Sequence, residues 1–387
     1  MPDTDVFVIS AVRSAIALGK ESGALHPLEP IDLAAKIMEE AVQRAGIDSK
    51  HLDDVIWGIV TPLGNQGANL ARLAALNAGF PVHVPGVSIN RMCGSSQQAV
   101  HFASQAILAG DADLILAGGT EMMSHQKMGA DYPAEFPKSI PHKLVHQGIS
   151  AEMMAEKWNL TREAQDDFAY RSHIRAASAM DSGYFNEQIL PLTIPKSENG
   201  KRIEYLFHTD EGVRRRPNRK KMGELKTMFK EYGTVTAGNA SQISDGAGAL
   251  VLASADAVGR YNLMPMARVL TRAVVGTDPT LMLDGPIAAT KKVLAMTNGL
   301  TLDDMDLIEI NEAFASVVLA WAKEFNPDME KVNPNGGAIA HGHPLGATGA
   351  ILMTKLVHEM QRRKARFGLQ TMCIGYGMAT ATILELV

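Results

Sequence analysis

The chain has 387 residues, 46% of them hydrophobic and 20% charged, with a formal net charge of −5. That length exceeds one small core and fits two or three domains. The acidic balance argues against a general nucleic-acid binder, and no apolar run reaches the length of a bilayer crossing. The two cysteines, Cys93 and Cys373, are too few for a disulfide framework or a four-cysteine zinc pattern, and they point to a reducing, cytoplasmic compartment. The opening "MPDTDVFVIS" lacks the basic start of a signal peptide, and the closing "ILELV" is not a Ser-Lys-Leu address.

In chain order, "VFVISAVRS" reads as a buried strand. "PIDLAAKIMEEAVQRAGI" carries apolar residues at helical spacing and stops at Gly46, and "LDDVIWGIV" returns to strand character. "VSINRMCGSSQQAVHFASQAILAG" gives a strand, a small-residue turn and a helix, and "LILAGG" a strand running into glycines. From 120 to 240 the pattern loosens into an insertion with one helix-like stretch, "SAEMMAEKWNLTREAQDDFAYRSHIRAASAM", and a basic run, "GVRRRPNRKK", of the solvated-loop kind.

The same order then returns. "GPIAATKKVLAMTNGL" is a helix ending at Gly299, and "DDMDLIEINEAF" contains a strand. "KVNPNGGAIAHGHPLGATGAILMTKLVHEM" repeats strand, turn and helix, and "LQTMCIGYG" is the closing strand. Ala35 matches Ala288, and Asp54-Val55-Ile56 matches Asp306-Leu307-Ile308. Alternating strands and helices repeated in this way predict a duplicated α/β fold. The expected parts are residues 1–120 with 240–257, an inserted domain at 121–239, and a second half at 258–387.

Four residues carry candidate chemistry. Cys93 lies just before a helix among Gly94, Ser95 and Ser96, where the positive end of the backbone dipoles favours thiolate. A nucleophile needs a base, and His341 and His343 stand in a glycine-rich turn, with Pro344 stiffening the second. No acids or cysteines flank them, so no metal is expected. Cys373 ends a strand before Gly375 and Gly377, whose N–H groups can face a developing oxyanion. Asn311 reads either as an N-cap for "EAFASVVLAWAK" or as a group that orients a water or a carbonyl.

"NRMCGSSQQA", "GTVTAGNASQISDGAGA", "NEAFA", "NPNGGAIAHGHPLGATG" and "MCIGYGMA" occur in the order found in thiolases, and the chain resembles that family along essentially its whole length. The resemblance implies the thiolase fold: α/β, two duplicated halves in five α-β-α-β-α layers with an inserted loop domain. It implies thiolytic cleavage of 3-ketoacyl-CoA by coenzyme A, or the reverse Claisen condensation, with no cofactor beyond CoA as substrate. Cys93 would take the acyl group. His343 would activate Cys93 and serve one oxyanion hole with a water held by Asn311. Cys373 would handle the α-carbon proton, and the N–H groups of Cys93 and Gly375 would form the second oxyanion hole. Ser241 and His146 would contact pantetheine, and Arg214 would lie near the nucleotide.

Two residues depart from the family pattern: Ala379 at the last glycine of the third signature, whose added methyl bears on the wall near Cys373, and His341 at a usually apolar place. Neither removes a catalytic group, so activity is expected, and both leave the acyl-chain preference open. The segments around 281–294 and 310–340 look nearer the degradative branch, including steroid side-chain thiolases, than the acetoacetyl-CoA-forming branch. A homodimer or homotetramer is implied, with a hydratase/dehydrogenase subunit as a further partner. The competing classes are a non-catalytic CoA- or lipid-binding relative, marked by a missing catalytic group, and a cysteine hydrolase, in which Cys373 has no role.

Overall fold

The computed structural model describes residues 5–198 and 201–387. The first half opens with β1 (Val6–Ser14), which is buried almost throughout and so reads as a continuous apolar run. The two-residue β2 (Ala17–Leu18) follows. Helix α1 (Pro30–Ala45) starts on proline and ends where Gly46 turns left-handed at φ 69°, its N–H returning to the Gln43 carbonyl at 3.0 Å. Then come β3 (Asp54–Gly58), α2 (Leu70–Asn77), β4 (Val87–Ile89), α3 (Ser95–Ala109) and β5 (Leu114–Met122).

The insertion contains α4 (Gln147–Lys157), α5 (Arg162–Asp181), β6 (Ile189–Leu190), the hairpin of β7 (Leu192–Glu198) and β8 (Lys201–Phe207), and α6 (Arg219–Gly223). The helix-like stretch splits in two. Asn159 turns left-handed at φ 48°, and the Thr161 side chain accepts the Ala164 N–H at 3.1 Å to start α5. The basic run is partly helical as α6, with Arg219 paired to exposed Asp167 and lying over the Tyr170 ring.

After the insertion the chain returns to the first half with β9 (Ser244–Ser254), which lies between β1 and β5, and α7 (Ala255–Tyr261) leads on. The second half runs β10 (Ala267–Gly276), α8 (Gly285–Ala295), β11 (Leu307–Ile310), α9 (Ala315–Phe325), α10 (Ala338–His341), α11 (Thr348–Arg363), β12 (Phe367–Ile374) and β13 (Met378–Leu386). Helix α8 stops short of Gly299. The Met296 N–H is shared between the Lys292 and Val293 carbonyls, and the Thr297 hydroxyl then accepts the Leu300 N–H. The strand expected at 331–335 shrinks to one bridge between Ile308 and Val332, because the Asn333 amide takes both the N–H and the C=O of Ile310. Asn311 is not an N-cap. Helix α9 begins after Phe314, and the Asn311 N–H goes to the Thr371 carbonyl.

The main sheet runs β11-β12-β13-β10-β1-β9-β5-β3-β4. Apart from the edge strand β4, whose counterpart is only the Ile308–Val332 bridge, it is symmetric about the β10–β1 contact. β3 and β5 pair in parallel, as do β11 and β12, while β5–β9–β1 and β12–β13–β10 are antiparallel. Three apolar layers separate the elements. Leu33, Ile37 and Met38 of α1 pack with Trp57 on the outer face of the first half. Val100 and Ala103 of α3 meet Met353 and Leu356 of α11 between the halves. Ala289 and Val293 of α8 pack with Val318 and Trp321 of α9 on the far face. Helices, sheet, helices, sheet and helices follow in that order, as expected for the duplicated fold.

Candidate active site

The middle helices α3 and α11 start near one another, and the site lies at their beginnings. Cys93 is set by a tight turn from β4 to α3. Met92 is held left-handed at φ 45°, its N–H bonded to Asn90 Oδ1, and the Ser95 hydroxyl donates to the Met92 carbonyl at 2.6 Å. A Cβ at Gly94 would press on the Ile374 side chain next to Cys373, so any larger residue here makes that side chain shift. The Cys93 sulfur accepts the N–H groups of Gly375 and of Cys93 itself. The expected thiolate is not what this setting produces. Burial pushes the Cys93 thiol up to about 11, because loss of hydration outweighs those donors at the helix start.

His343 sits in the loop between α10 and α11, with its N–H bonded to the Gln242 carbonyl at 3.0 Å. Its tautomer follows from its partners. The Thr348 hydroxyl donates to the Pro344 carbonyl, so it accepts from His343 Nδ1 at 2.6 Å, and Nδ1 carries the proton. Nε2 is left with a lone pair, facing Asn311 Nδ2 at 3.3 Å. Burial pushes the imidazole down to about 4, so it is neutral at physiological pH. Asn311 is fully buried, and among the described residues its Oδ1 has no hydrogen-bond partner.

Cys93, His343, Cys373 and Gly375 line one cavity of about 400 Å³ together with Ser241 and His146. Cys373 is 1% exposed, and burial beside the Cys93 sulfur drives its thiol far above the ordinary range. Ser241 is placed by strand-like pairing of its segment with the segment after Asn311, its N–H going to the Ala313 carbonyl. His146 caps α4, accepting the Gly148 N–H at Nδ1, and stacks on Phe229 at 5.2 Å. Among the described residues no group of three or more His, Cys, Asp or Glu side chains is arranged to hold a metal.

Asn311 lies behind His343 rather than in the lining, and three further sequence candidates lie off this cavity. Arg214 lines a separate basic hollow with Arg216 and Lys221, its guanidinium facing His173, and Ala237 borders both hollows. His341 points away, its ring between Asp210 Oδ2 at 2.7 Å and the Asn335 carbonyl at 2.9 Å, with Arg13 on the other side of Asp210. Ala379 is buried against α8, where Gly285 leaves room for its methyl. Neither departure reshapes the pocket wall; both face structural neighbours instead.

Glu121, which the sequence reading passed over, is central to the architecture. Its buried carboxylate accepts the N–H groups of Val60, Thr61 and Gly346, the last from the His343 loop, and burial pushes it up to about 7. The one signal for it was an acid inside the apolar run "LILAGGTEM".

With this geometry in place, comparison with known proteins assigns the chain to a class. The family profile "Thiolase, N-terminal domain" matches residues 6–256, and "Thiolase, C-terminal domain" matches 263–386. The chain belongs to the thiolase family of acyltransferases. It is 46% identical to the steroid 3-ketoacyl-CoA thiolase FadA6 of Mycobacterium tuberculosis, with 99% of this chain and 94% of that protein covered. It is 42% identical to an acetyl-CoA acetyltransferase of Syntrophomonas wolfei over 98% of this chain and 99% of that one. Among solved structures, the acetyl-CoA acetyltransferase of Bacillus anthracis superposes with a TM-score of 0.90 at 38% identity, covering 99% of each chain. No helix among the described residues is long and apolar enough to cross a membrane.

Proposed function

We propose that this enzyme cleaves 3-ketoacyl-CoA with coenzyme A to acetyl-CoA and a shortened acyl-CoA, through a thioester on Cys93. The observation that carries this reading is the convergence of both thiols, His343 and Gly375 on one cavity. His343 Nε2 takes the Cys93 proton as the sulfur attacks the C3 carbonyl. The tetrahedral oxygen is held by the N–H groups of Cys93 and Gly375. The C2–C3 bond then breaks, and the Cys373 thiol gives its proton to C2 of the departing acetyl-CoA enolate. The thioester oxygen of that enolate is held by protonated His343 and by a water on Asn311. Incoming CoA returns a proton to Cys373, its thiolate attacks the Cys93 thioester, and Cys93 recovers its proton from His343. A thiol and a neutral base in the free enzyme suit this sequence, since the proton moves only when substrate is seated.

The cavity branch bordered by Ser241 and His146 receives pantetheine, and the basic hollow at Arg214 takes the phosphate-bearing end through charge-assisted hydrogen bonds. CoA is substrate, and no further cofactor is needed. The same residues run the condensation to acetoacetyl-CoA, so direction is set by substrate supply. The edge strand β4 exposes Val87, with Val82, Leu73 and Leu76 also exposed nearby in sequence, and a second copy of the chain would cover them in a homo-oligomer. The three-part division at 120, 240 and 257 and a cytoplasmic setting belong to this reading.

The test is mass spectrometry of the protein mixed with acetyl-CoA. The expected result is an acetyl group on Cys93 that free CoA removes. No adduct would favour a binding protein, and loss to water faster than to CoA a hydrolase.

A further inference from the structure

Beside Gly375 the catalytic cavity opens into a second hollow, also of about 400 Å³, which shares Met128, His146, Gln147 and Gly375 with the first. Gly375 gives its N–H to the Cys93 sulfur, so this second space begins next to the nucleophile. Its wall is a triangle of rings. Tyr132 and Phe136 are 6.1 Å apart, Tyr132 and Tyr376 6.2 Å, and Phe136 meets Tyr376 edge-on at 5.8 Å and 72°. Tyr132 and Phe136 are 42% and 40% exposed, so apolar ring faces stand uncovered.

Tyr376 is held at φ 64°, between Gly375 and Gly377. A bulky side chain in the left-handed region costs about 1–2 kcal/mol that glycine avoids. A ring kept at such a cost beside a reactive sulfur suggests a role for the ring. Met128 and Met282 complete the wall with thioethers that adapt to varied shapes.

A 3-ketoacyl thioester attacked at C3 extends two ways from Cys93. If pantetheine follows the Ser241 branch, as proposed above, the group on the far side of C3 needs another exit. A methyl group needs none, whereas a space of this size matches a ligand of several rings or a long chain. Between those two, aromatic walls favour the ring. A rigid ring buries its apolar surface with few rotors to freeze, and it can meet the three side chains stacked or edge-on.

We propose that the Tyr132–Phe136–Tyr376 hollow binds the acyl substituent and selects compact, largely apolar, ring-bearing groups over linear ones of equal carbon number. This rests on the thiolase reading, and the experiment separates the two. The purified full chain is assayed for CoA-dependent cleavage of acetoacetyl-CoA, 3-ketoundecanoyl-CoA and 3-keto-5-cyclohexylpentanoyl-CoA, the last two with equal acyl carbon counts. The expected kcat/KM for the cyclohexyl ester is about tenfold above that for the linear ester. Phe136→Ala and Tyr376→Gly, the latter compatible with the backbone at that position, should each shrink the ratio toward one. Cleavage of acetoacetyl-CoA with no preference for the ring, or a preference that survives both substitutions, overturns this inference alone. No cleavage of any ester overturns the proposed function and this inference together.

Discussion

The two halves of the molecule solve one structural problem in different ways. In the first, β4 passes to α3 through residues 90–94, a turn just long enough to place one sulfur before the helix. In the second, the passage from the Ile308–Val332 bridge to α11 spans 333–347 and includes the short α10, leaving room for His341, His343 and their anchors. Each passage opens on an asparagine. Asn90 gives its amide to the Val60 carbonyl, and Asn333 gives its amide to the Ile310 carbonyl. The shared start shows what duplication preserved, namely a strand end fixed by a side-chain amide. The unequal lengths show what diverged. One half carries Cys93, the proposed nucleophile, on a minimal turn, and the other carries His343, the proposed base, on a loop that needs outside support.

The largest expected effect tests the longer passage where it carries the proposed base, His343. Asn311→Ala removes the only side-chain partner of His343 Nε2 among the described residues and a candidate support of an oxyanion. Thiolysis should fall by about two to three powers of ten in kcat. Acylation of Cys93 in the mass-spectrometric assay should slow along with it, and a change confined to KM would contradict the role given to Asn311.

A second test removes the outside support. Glu121→Ala leaves the N–H groups of Val60, Thr61 and Gly346 buried without an acceptor. Urea unfolding should show a loss of about 3 kcal/mol or more. Glu121→Gln, which keeps an acceptor oxygen, should lose less. Equal losses in the two variants would mean that the carboxylate does not hold the loop.

The shorter passage is tested through pH. A thiol raised to about 11 is protonated across neutral pH, and its reactive thiolate fraction grows as pH rises. Iodoacetamide labelling of Cys93, followed on its peptide, should therefore keep climbing beyond pH 9. An inflection near pH 6 would reveal a resting thiolate–imidazolium pair instead. Because His343 is depressed to about 4, the acid limb of activity should lie near pH 4 rather than 6.5.

The smallest expected effect concerns the contact between the passages. Gly94→Ala pushes a methyl into Ile374. Overpacking of this kind costs about 1–3 kcal/mol, which thermal unfolding would register as a fall of a few degrees.

Much of the fold was legible because its signals are local. Gly46 ends α1 where the αL turn demanded it, and the repeated order of strands and helices anticipated the symmetric sheet. The misses arose where a distant side chain changed a local outcome. Thr297 closed α8 early, and Asn333 replaced a strand with its own amide. At the site, glycine and cysteine spacing pointed to the cavity-lining residues, but protonation did not follow from it. A helix start favours thiolate, and only the enclosed position of Cys93 shows that desolvation prevails. His341 and Ala379 looked like pocket residues because they stand close to His343 and Cys373 in sequence. Their side chains turn toward Asp210 and α8, which no spacing rule reveals.

Glu121 belongs to an inner strand of the first half, and it grips a backbone amide three residues beyond the imidazole of the second. Loosening the seam between the halves therefore displaces His343 before either half need lose its own helices. Partial unfolding would extinguish turnover early, so residual activity during denaturation should serve as a sensitive gauge of whether the two repeats are still docked.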